Sequence, residues 1–311
     1  MIKPETERRV AINVADLYAE PSEDANLVSQ ALLGAKVVVG DEQDGFCLVH
    51  TEDRYQGWTR ARHLAPAWDD EDYFPTSIAT LFADVFFRPD AQAEMLTKLS
   101  VGTRVLLAHG AATEDFVPLL LPDKRLGYAH VLCLNMTHEG AITGPDLLDQ
   151  KARRAIDVSQ LKRQVLAAVG AQAARVALRF IGTPYLWGGC SSFGLDCSGL
   201  VQMSYKLSGV QLLRDADLQW RDRRFERVEQ EIALPEADLS MGDLIVFSST
   251  QDAPDPKATH IGIALGDGRF VHAAGRNGGV YVDDCEAKAY QKTYLGALRL
   301  SANADLAVEA A

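Results

Sequence analysis

The sequence predicts an α+β chain in which two small β-barrels stand in tandem ahead of a domain whose helices precede an antiparallel sheet. Three observations carry this. The first half repeats itself, each copy reads as short strands broken by turns, and the second half runs two helical patterns before a series of β runs. With 311 residues, 47% apolar and 24% charged, the chain has the composition of a globular protein and the length for two or three cores.

The repeat begins at Val14 with "VADLYAEPSEDANLVSQALLGAKVVV" and again at Phe82 with "FADVFFRPDAQAEMLTKLSVGTRVLL". Asp16 aligns with Asp84, Pro21 with Pro89, Gly34 with Gly102 and Val37 with Val105. After a short insertion, Phe46 aligns with Phe116 and Gly57-Trp58 with Gly127-Tyr128. A period of about 70 residues is the length of a domain, not of a solenoid repeat. Alternating strands cut by Pro, Gly and Asp turns mark a small barrel. Both copies resemble the bacterial SH3 domain, the first more clearly. "GY" in place of "GW" puts a ligand role for the second copy in doubt. The expected division is 1–72 and 73–140 for the barrels, 141–158 for a linker that turns helical, and 159–311 for the last domain.

In that last domain, Leu161, Val165, Leu166, Val169, Ala173, Val176 and Phe180 recur at helical spacing, with Ser159 as the expected N-cap. This helix is expected to pack beneath the glycine-rich stretch "TPYLWGGCSSFGLDCSGLVQ", residues 183–202. A second helix should follow in "CSGLVQMSYKLSGV", stopped by Gly209. The β runs are "GDLIVFSS", "THIGIAL", "GRFVHAAG" and "YLGALRL". Asp243 is expected to close a turn before the first of them.

Cys197 stands where the glycine-rich loop gives way to the second helix. Unpaired backbone N–H groups and the positive end of the helix dipole favour a thiolate there. Most single cysteines are small buried hydrophobes, but this one is flanked by Asp196 and Ser198, with glycines clearing its approach. A nucleophile needs a base. His50, His63, His109, His130 and His138 are scattered through the barrel half, whereas His260 and His272 flank a hairpin signal around Gly266-Asp267-Gly268. A loop with an odd number of residues pairs Leu265 with Arg269 and sets both imidazoles on one face; a two-residue turn sets them on opposite faces. A zinc site or two unrelated histidines are the alternatives, although no CxxC accompanies them. In the nucleophile–base–orienter arrangement, His260 takes the thiol proton and returns it to a leaving amine, while His272 holds the His260 ring. The Cys197 backbone N–H is the natural oxyanion donor, with the Tyr185 hydroxyl as a second. Trp187 is expected to pack under the loop or to line the pocket. For Cys190, loop packing stands against a redox partnership with Cys197.

"YLWGGCSSFGLDCSGLVQ", "MGDLIVF", "THIGIAL" and "FVHAAG" occur in order, and in them the chain resembles the NlpC/P60 cysteine peptidases over roughly residues 160–300. The resemblance implies a papain-like α+β fold and cleavage of bacterial cell-wall peptides, with Cys197 as nucleophile, His260 as base and His272 as third polar residue. Two SH3 copies ahead of the domain are similar to the γ-D-glutamyl-L-diamino acid endopeptidases of murein-peptide recycling, whose substrate carries a free N-terminal L-Ala. That implies substrate contacts at Tyr185, Asp196, Ser198 and Asp215, with Tyr55 and Glu20 nominated on the first barrel. An aspartate facing the ligand's ammonium would favour a free amine over a capped strand.

A net charge of −12 repels nucleic acid, phosphate-rich wall polymers and acidic lipid, so no nucleic-acid or membrane partner is expected. No cofactor or metal is expected either, since no ligand set at close spacing occurs. Five cysteines, an odd and sparse set, argue against a disulfide framework. The N-terminal stretch lacks an apolar core of signal-peptide length; with Met1 as the native start, the expected compartment is the cytoplasm. Two other readings stay open: a wall-binding protein with an inactive peptidase domain, and a thiol amidase or acyltransferase on the same scaffold.

Overall fold

A computed structural model describes residues 6–67, 73–110, 112–135, 158–228, 239–250 and 253–301. The expected linker lies almost wholly outside them. The first barrel is built from β1 (Thr6–Val10), β2 (Val14–Tyr18), β3 (Leu27–Leu32), β4 (Lys36–Gln43), β5 (Phe46–Thr51), β6 (Gln56–Arg60) and β7 (Leu64–Pro66). The second is built from β8 (Phe74–Ser77), β9 (Phe82–Phe86), β10 (Met95–Ser100), β11 (Arg104–Leu107), β12 (Phe116–Leu120) and β13 (Leu126–His130). Their strand orders, β3-β2-β6-β5-β4-β1 and β10-β9-β13-β12-β11-β8, are the same order twice, with β7 added at the edge of the first.

The repeated residues explain the repeated fold. Ala15, Leu17, Ala31, Val37 and Val49 fill the first core, and their counterparts Ala83, Val85, Leu99, Val105 and Leu119 fill the second. Alternation sends every second side chain inward, so both copies bury the same positions. Gly34 and Gly102 each take a left-handed φ, +78° and +77°, at the turn that precedes β4 and β11. Leu33, beside the first of these turns, is buried in the second barrel's core.

Helix α1 (Val158–Arg179) leads the last domain, followed by the two-residue strands β14 (Cys190–Ser191) and β15 (Gly194–Leu195). Helices α2 (Cys197–Lys206) and α3 (Ala216–Trp220) come next. A six-stranded antiparallel sheet runs in the order β16-β21-β17-β18-β19-β20, from β16 (Phe225–Arg227), β17 (Leu244–Phe247), β18 (His260–Ala264), β19 (Arg269–Ala274), β20 (Gly279–Asp284) and β21 (Tyr294–Leu300). Helix α4 (Lys288–Gln291) connects the last two in sequence. Helices before an antiparallel sheet make the α+β class that the sequence predicts. Strands β16 and β20 are additions to the four expected β runs.

Two local expectations need correction. Helix α1 already contains Ser159, which is therefore not its cap. Val165 is exposed, while Leu166, Ala173, Val176 and Phe180 are buried. The buried stripe thus lies to one side of Val165. The same helix packs on the sheet: Gly242, at the turn before β17, approaches the Gly170 backbone so closely that a Cβ at 242 would meet it at 2.1 Å, whereas a Cβ at 170 would make only ordinary contacts. Asp243 closes that turn, as expected, by accepting from the Ser240 N–H at 2.8 Å. It also takes a two-pronged ion pair from Arg299, at 2.8 and 2.6 Å, where the sequence suggests only a turn.

By its contacts the chain forms two compact units. One joins both barrels to Phe180–Met203 and Ala273–Val280, and thus contains the glycine-rich loop. The other contains α1, Ser204–His272 and the stretch from Tyr281 onward.

Candidate active site

In the first unit, the loop carrying Cys197 is held at both ends. Its entry pairs with a distant segment: Pro184 bridges Gly279, and the Tyr185 N–H donates to the Gly278 carbonyl at 3.0 Å. Strands β14 and β15 then fold the loop into a small hairpin whose tip is Ser192-Phe193. At the exit, Asp196 caps α2. Its carbonyl accepts from the Leu200 N–H at 2.9 Å, and its Oδ1 accepts from the Gly199 N–H at 2.7 Å. A cap of this kind contributes about 1 kcal/mol to its helix. Oδ1 also accepts from the Ser198 hydroxyl at 3.2 Å, and Oδ2 accepts from the Gly188 N–H at 2.9 Å. Asp196 is only 7% exposed, so its carboxylate is built into the loop as well as standing beside the thiol. Cys197, the first residue of α2, is partly exposed.

Both barrels grip this loop. Gln30 on β3 accepts through Oε1 from the Cys190 N–H at 3.0 Å and from the Ser191 hydroxyl at 3.2 Å. The Cys190 sulfur packs 3.8 Å from the Ser29 hydroxyl and from the Gly188 carbonyl, a packing role; none of the five cysteines is in a disulfide. Gly188 has φ +75°, and a Cβ there would meet the Leu27 backbone at 2.8 Å. From the second barrel, the Ser100 hydroxyl accepts from the Ser192 N–H at 2.9 Å, and the rings of Phe82 and Phe193 lie 5.1 Å apart. A third hold is on the helix itself: Gln202 of α2 donates to Asp53 Oδ2 at 2.7 Å, in the turn between β5 and β6. Asp53 also accepts from the Thr51 hydroxyl. Tyr55, nominated from sequence, sits in that same turn, partly buried, its carbonyl accepting from the Thr51 N–H at 2.9 Å. Gln30, Asp53 and Ser100 carry no motif, and sequence reasoning missed them; Gln202 ends the quoted motif, but its bond to the first barrel was not foreseen.

In the second unit, the hairpin takes the odd loop. Ile263 pairs with Val271 and Ala264 with Phe270, and the Leu265 N–H donates to the Arg269 carbonyl at 2.9 Å. Gly266 and Gly268, at φ +88° and +78°, supply the left-handed turns that a three-residue loop needs. The register therefore brings His260 and His272 to one face, with His260 Nε2 2.7 Å from His272 Nδ1. His272 is fully buried beneath the rings of Phe270, Tyr281 and Tyr290, while His260 is partly exposed.

The other nominated residues are more scattered. Asp215 precedes α3 in the second unit, and its side chain makes no capping bond. Glu20 is exposed on the turn after β2. Tyr185 is partly buried, its ring packed against Gly275. Trp187, expected to be packed under the loop or lining a pocket, is 68% exposed, so the packing expectation is corrected: the loop closes on itself and on the barrels without it. Among the described residues, no group of three or more His, Cys, Asp or Glu is placed to hold a metal ion. Cys285 provides a contrast, since burial first and then the nearby Asp284 push its thiol up to about 11.

A cysteine opening a helix, in a chain with a paired-histidine hairpin, is the inventory of a thiol hydrolase. Residues 182–299 match the NlpC/P60 family, and residues 17–64 match the bacterial dipeptidyl-peptidase SH3 domain. The chain is 26% identical over 273 residues to dipeptidyl-peptidase 6 of Lysinibacillus sphaericus, covering 84% of this chain and 85% of that protein. It is 26% identical over 285 residues to a γ-D-glutamyl-L-lysine dipeptidyl-peptidase of Bacillus cereus, covering 88% and 75% respectively. A crystal structure of an NlpC/P60 family protein from Bacillus cereus superposes with a TM-score of 0.71 at 20% identity, covering 95% of this chain and 99% of that one, and shows the same fold. The chain is a cysteine peptidase: an NlpC/P60 domain behind a bacterial dipeptidyl-peptidase SH3 domain.

Proposed function

We propose that the chain is an endopeptidase that hydrolyses the γ-D-glutamyl–L-diamino acid bond of murein peptides carrying a free N-terminal L-Ala, acting in the cytoplasm on recycled fragments. Cys197 is the nucleophile, His260 the general base and His272 its orienter. The thiol gives its proton to His260, and the thiolate attacks the γ-carbonyl of D-Glu. The Cys197 N–H and the Tyr185 hydroxyl receive the oxyanion. His260 returns the proton to the departing amine of the diamino acid. Water, deprotonated by His260, then hydrolyses the thioester and frees L-Ala-γ-D-Glu.

The observation that carries this reading is the grip of the first barrel on the Cys197 loop, through Gln30 and Asp53. An enzyme that releases a dipeptide from a free amine must block the chain two residues from the scissile bond. A domain hydrogen-bonded to the nucleophile's loop and helix supplies such a wall. The relatives named as dipeptidyl-peptidases support the same specificity, and Tyr55, Glu20, Asp196, Ser198 and Asp215 are the residues nominated to contact the substrate. A carboxylate among them would pair with the ammonium and reject an amide-capped strand.

Mass spectrometry of L-Ala-γ-D-Glu-diaminopimelate and its N-acetyl form, each incubated with enzyme, tests the reading. The free tripeptide is expected to be cut and the capped one spared, with Cys197→Ala inactive on both. Cleavage of the capped peptide alone would overturn the specificity; an active Cys197→Ala enzyme would overturn the mechanism.

A further inference from the structure

The hydrogen-bond chain that starts at His260 does not end at His272. Tyr290 of α4 places its hydroxyl 3.4 Å from His272 Nε2 and donates to Asp283 Oδ2 at 2.7 Å. Asp283 Oδ2 also lies 3.8 Å from His272 Nε2. Asp283 and Tyr281 are two apart on β20, so both face the buried imidazole, and the Tyr281 ring centroid is 4.5 Å from that of His272. The titratable groups around His272 are thus His260 from β18, Tyr281 and Asp283 from β20, and Tyr290 from α4. All belong to one unit.

We infer that Asp283, acting through Tyr290, is a positioning residue that fixes the tautomer of His272 and thereby selects Nδ1 of His260 as the catalytic base. The inference rests on the cysteine-peptidase reading above and extends it. A tyrosine has one hydrogen to donate. Tyr290 gives it to Asp283, so its oxygen acts as an acceptor toward its other neighbours, Tyr281 and His272, and the His272 nitrogen that faces it, Nε2, carries the proton. Nδ1 of His272 is then an acceptor, and it faces Nε2 of His260. The proton of neutral His260 therefore sits on Nε2, leaving Nδ1 bare for the thiol proton. When the thiol ionises, one proton moves from sulfur to His260 Nδ1 and no other bond to hydrogen changes. The new imidazolium donates to His272, whose own donation toward Tyr290 and the Asp283 carboxylate stabilises the charge. Burial, followed by its bond to Asp283, raises the Tyr290 hydroxyl well above the usual tyrosine range, so it remains a donor at working pH.

Asn at 283 can donate an N–H to the tyrosine oxygen, which would turn the Tyr290 hydrogen toward His272 and reverse the chain. In Asp283→Asn, kcat for the tripeptide is expected to fall about 10- to 100-fold with KM little changed. Alkylation of Cys197 by iodoacetamide should move to higher pH, because the thiol then ionises without a stabilised imidazolium beside it. The histidine 15N–1H spectrum should report His272 protonated on Nε2 in the parent and on Nδ1 in the variant. Asp283→Glu is expected to restore the parent tautomer, and Tyr290→Phe, which keeps the ring, to shift alkylation in the same direction by less. An Asp283→Asn protein with the parent's alkylation profile and His272 tautomer overturns the inference. Neither measurement needs a peptide, so a wrong substrate would show in the tripeptide arm and leave these two readouts decisive.

Discussion

The imidazole hairpin and the thiol loop are positioned by opposite means. His260 and His272 are 12 residues apart, and the register of two adjacent strands brings their nitrogens to 2.7 Å. Beyond its local bonds, the thiol loop takes hydrogen bonds from residues 92 to 161 positions away, in the two barrels. A base–orienter pair can be set by backbone geometry, since strand pairing fixes side-chain spacing to within an ångström or so. A nucleophile at a loop–helix junction has no such ruler. Here tertiary contacts supply it, and under the proposed mechanism they tie the barrels to the chemistry.

The largest test of that difference is at Gly188. In Gly188→Ala the new Cβ would sit 2.8 Å from both the backbone oxygen and the side chain of Leu27 at a φ of +75°, so backbone as well as side chain is in the way. The barrel must then release the loop, and a loss of about 2–4 kcal/mol in urea unfolding is expected, with tripeptide turnover falling at least as far. The histidine 15N–1H pattern should stay that of the parent. A disturbed His260–His272 signal would show that the hairpin also leans on the loop, and the comparison would fail.

A smaller effect is expected at Gln30. Gln30→Ala deprives the Cys190 N–H and the Ser191 hydroxyl of their shared acceptor, a loss of about 1–3 kcal/mol if water does not replace it. Turnover should drop several-fold, while Ser100→Ala, which releases the hairpin tip from the second barrel, should cost less because the Phe82–Phe193 ring contact remains. Equal losses in the two variants would mean that the barrels hold the loop as equals. A larger loss in Ser100→Ala would reverse the roles assigned to them.

The same contrast explains what could be read from the sequence. The repeat, the strand alternation and the spacing "HIGIALGDGRFVH" are local patterns, so the duplicated sheet order and the facing histidines follow from counting residues. Cys197 at a helix start was legible for the same reason. Asp196 was legible as a neighbour of the thiol but not as a cap and loop brace, because its Gly188 bond crosses the hairpin. Gln30, Asp53 and Ser100 were invisible: a lone polar residue on a barrel strand or turn looks solvent-facing until a second domain is laid against it. Asp283 and Tyr281 could have been found, since "VYVDD" alternates beside the His272 strand. Tyr290 could not, because it reaches His272 from a short helix with no periodicity to reveal its face.

The smallest effect concerns pH and the first barrel, on which the loop depends. His63 follows β6 and buries its Nδ1 with no hydrogen-bond partner. Burial, then the Arg62 charge, holds its pKa below the usual histidine value, against weaker pulls from Glu23 and Asp16. The unfolded chain therefore binds this proton more readily than the folded one. Stability is full above the unfolded histidine pKa of about 6.5 and declines as pH falls through it. Melting curves at about pH 7.5 and about pH 5.5 should show a shallow fall in Tm for the parent that is reduced in His63→Gln, which cannot take up the proton. The same fall in both proteins would assign the acid sensitivity to other groups. Should tripeptide turnover at the lower pH fall further than the proposed thiol–imidazole chemistry accounts for, and recover in His63→Gln, the barrel's titration would be reaching the Cys197 loop through Gln30 and Asp53.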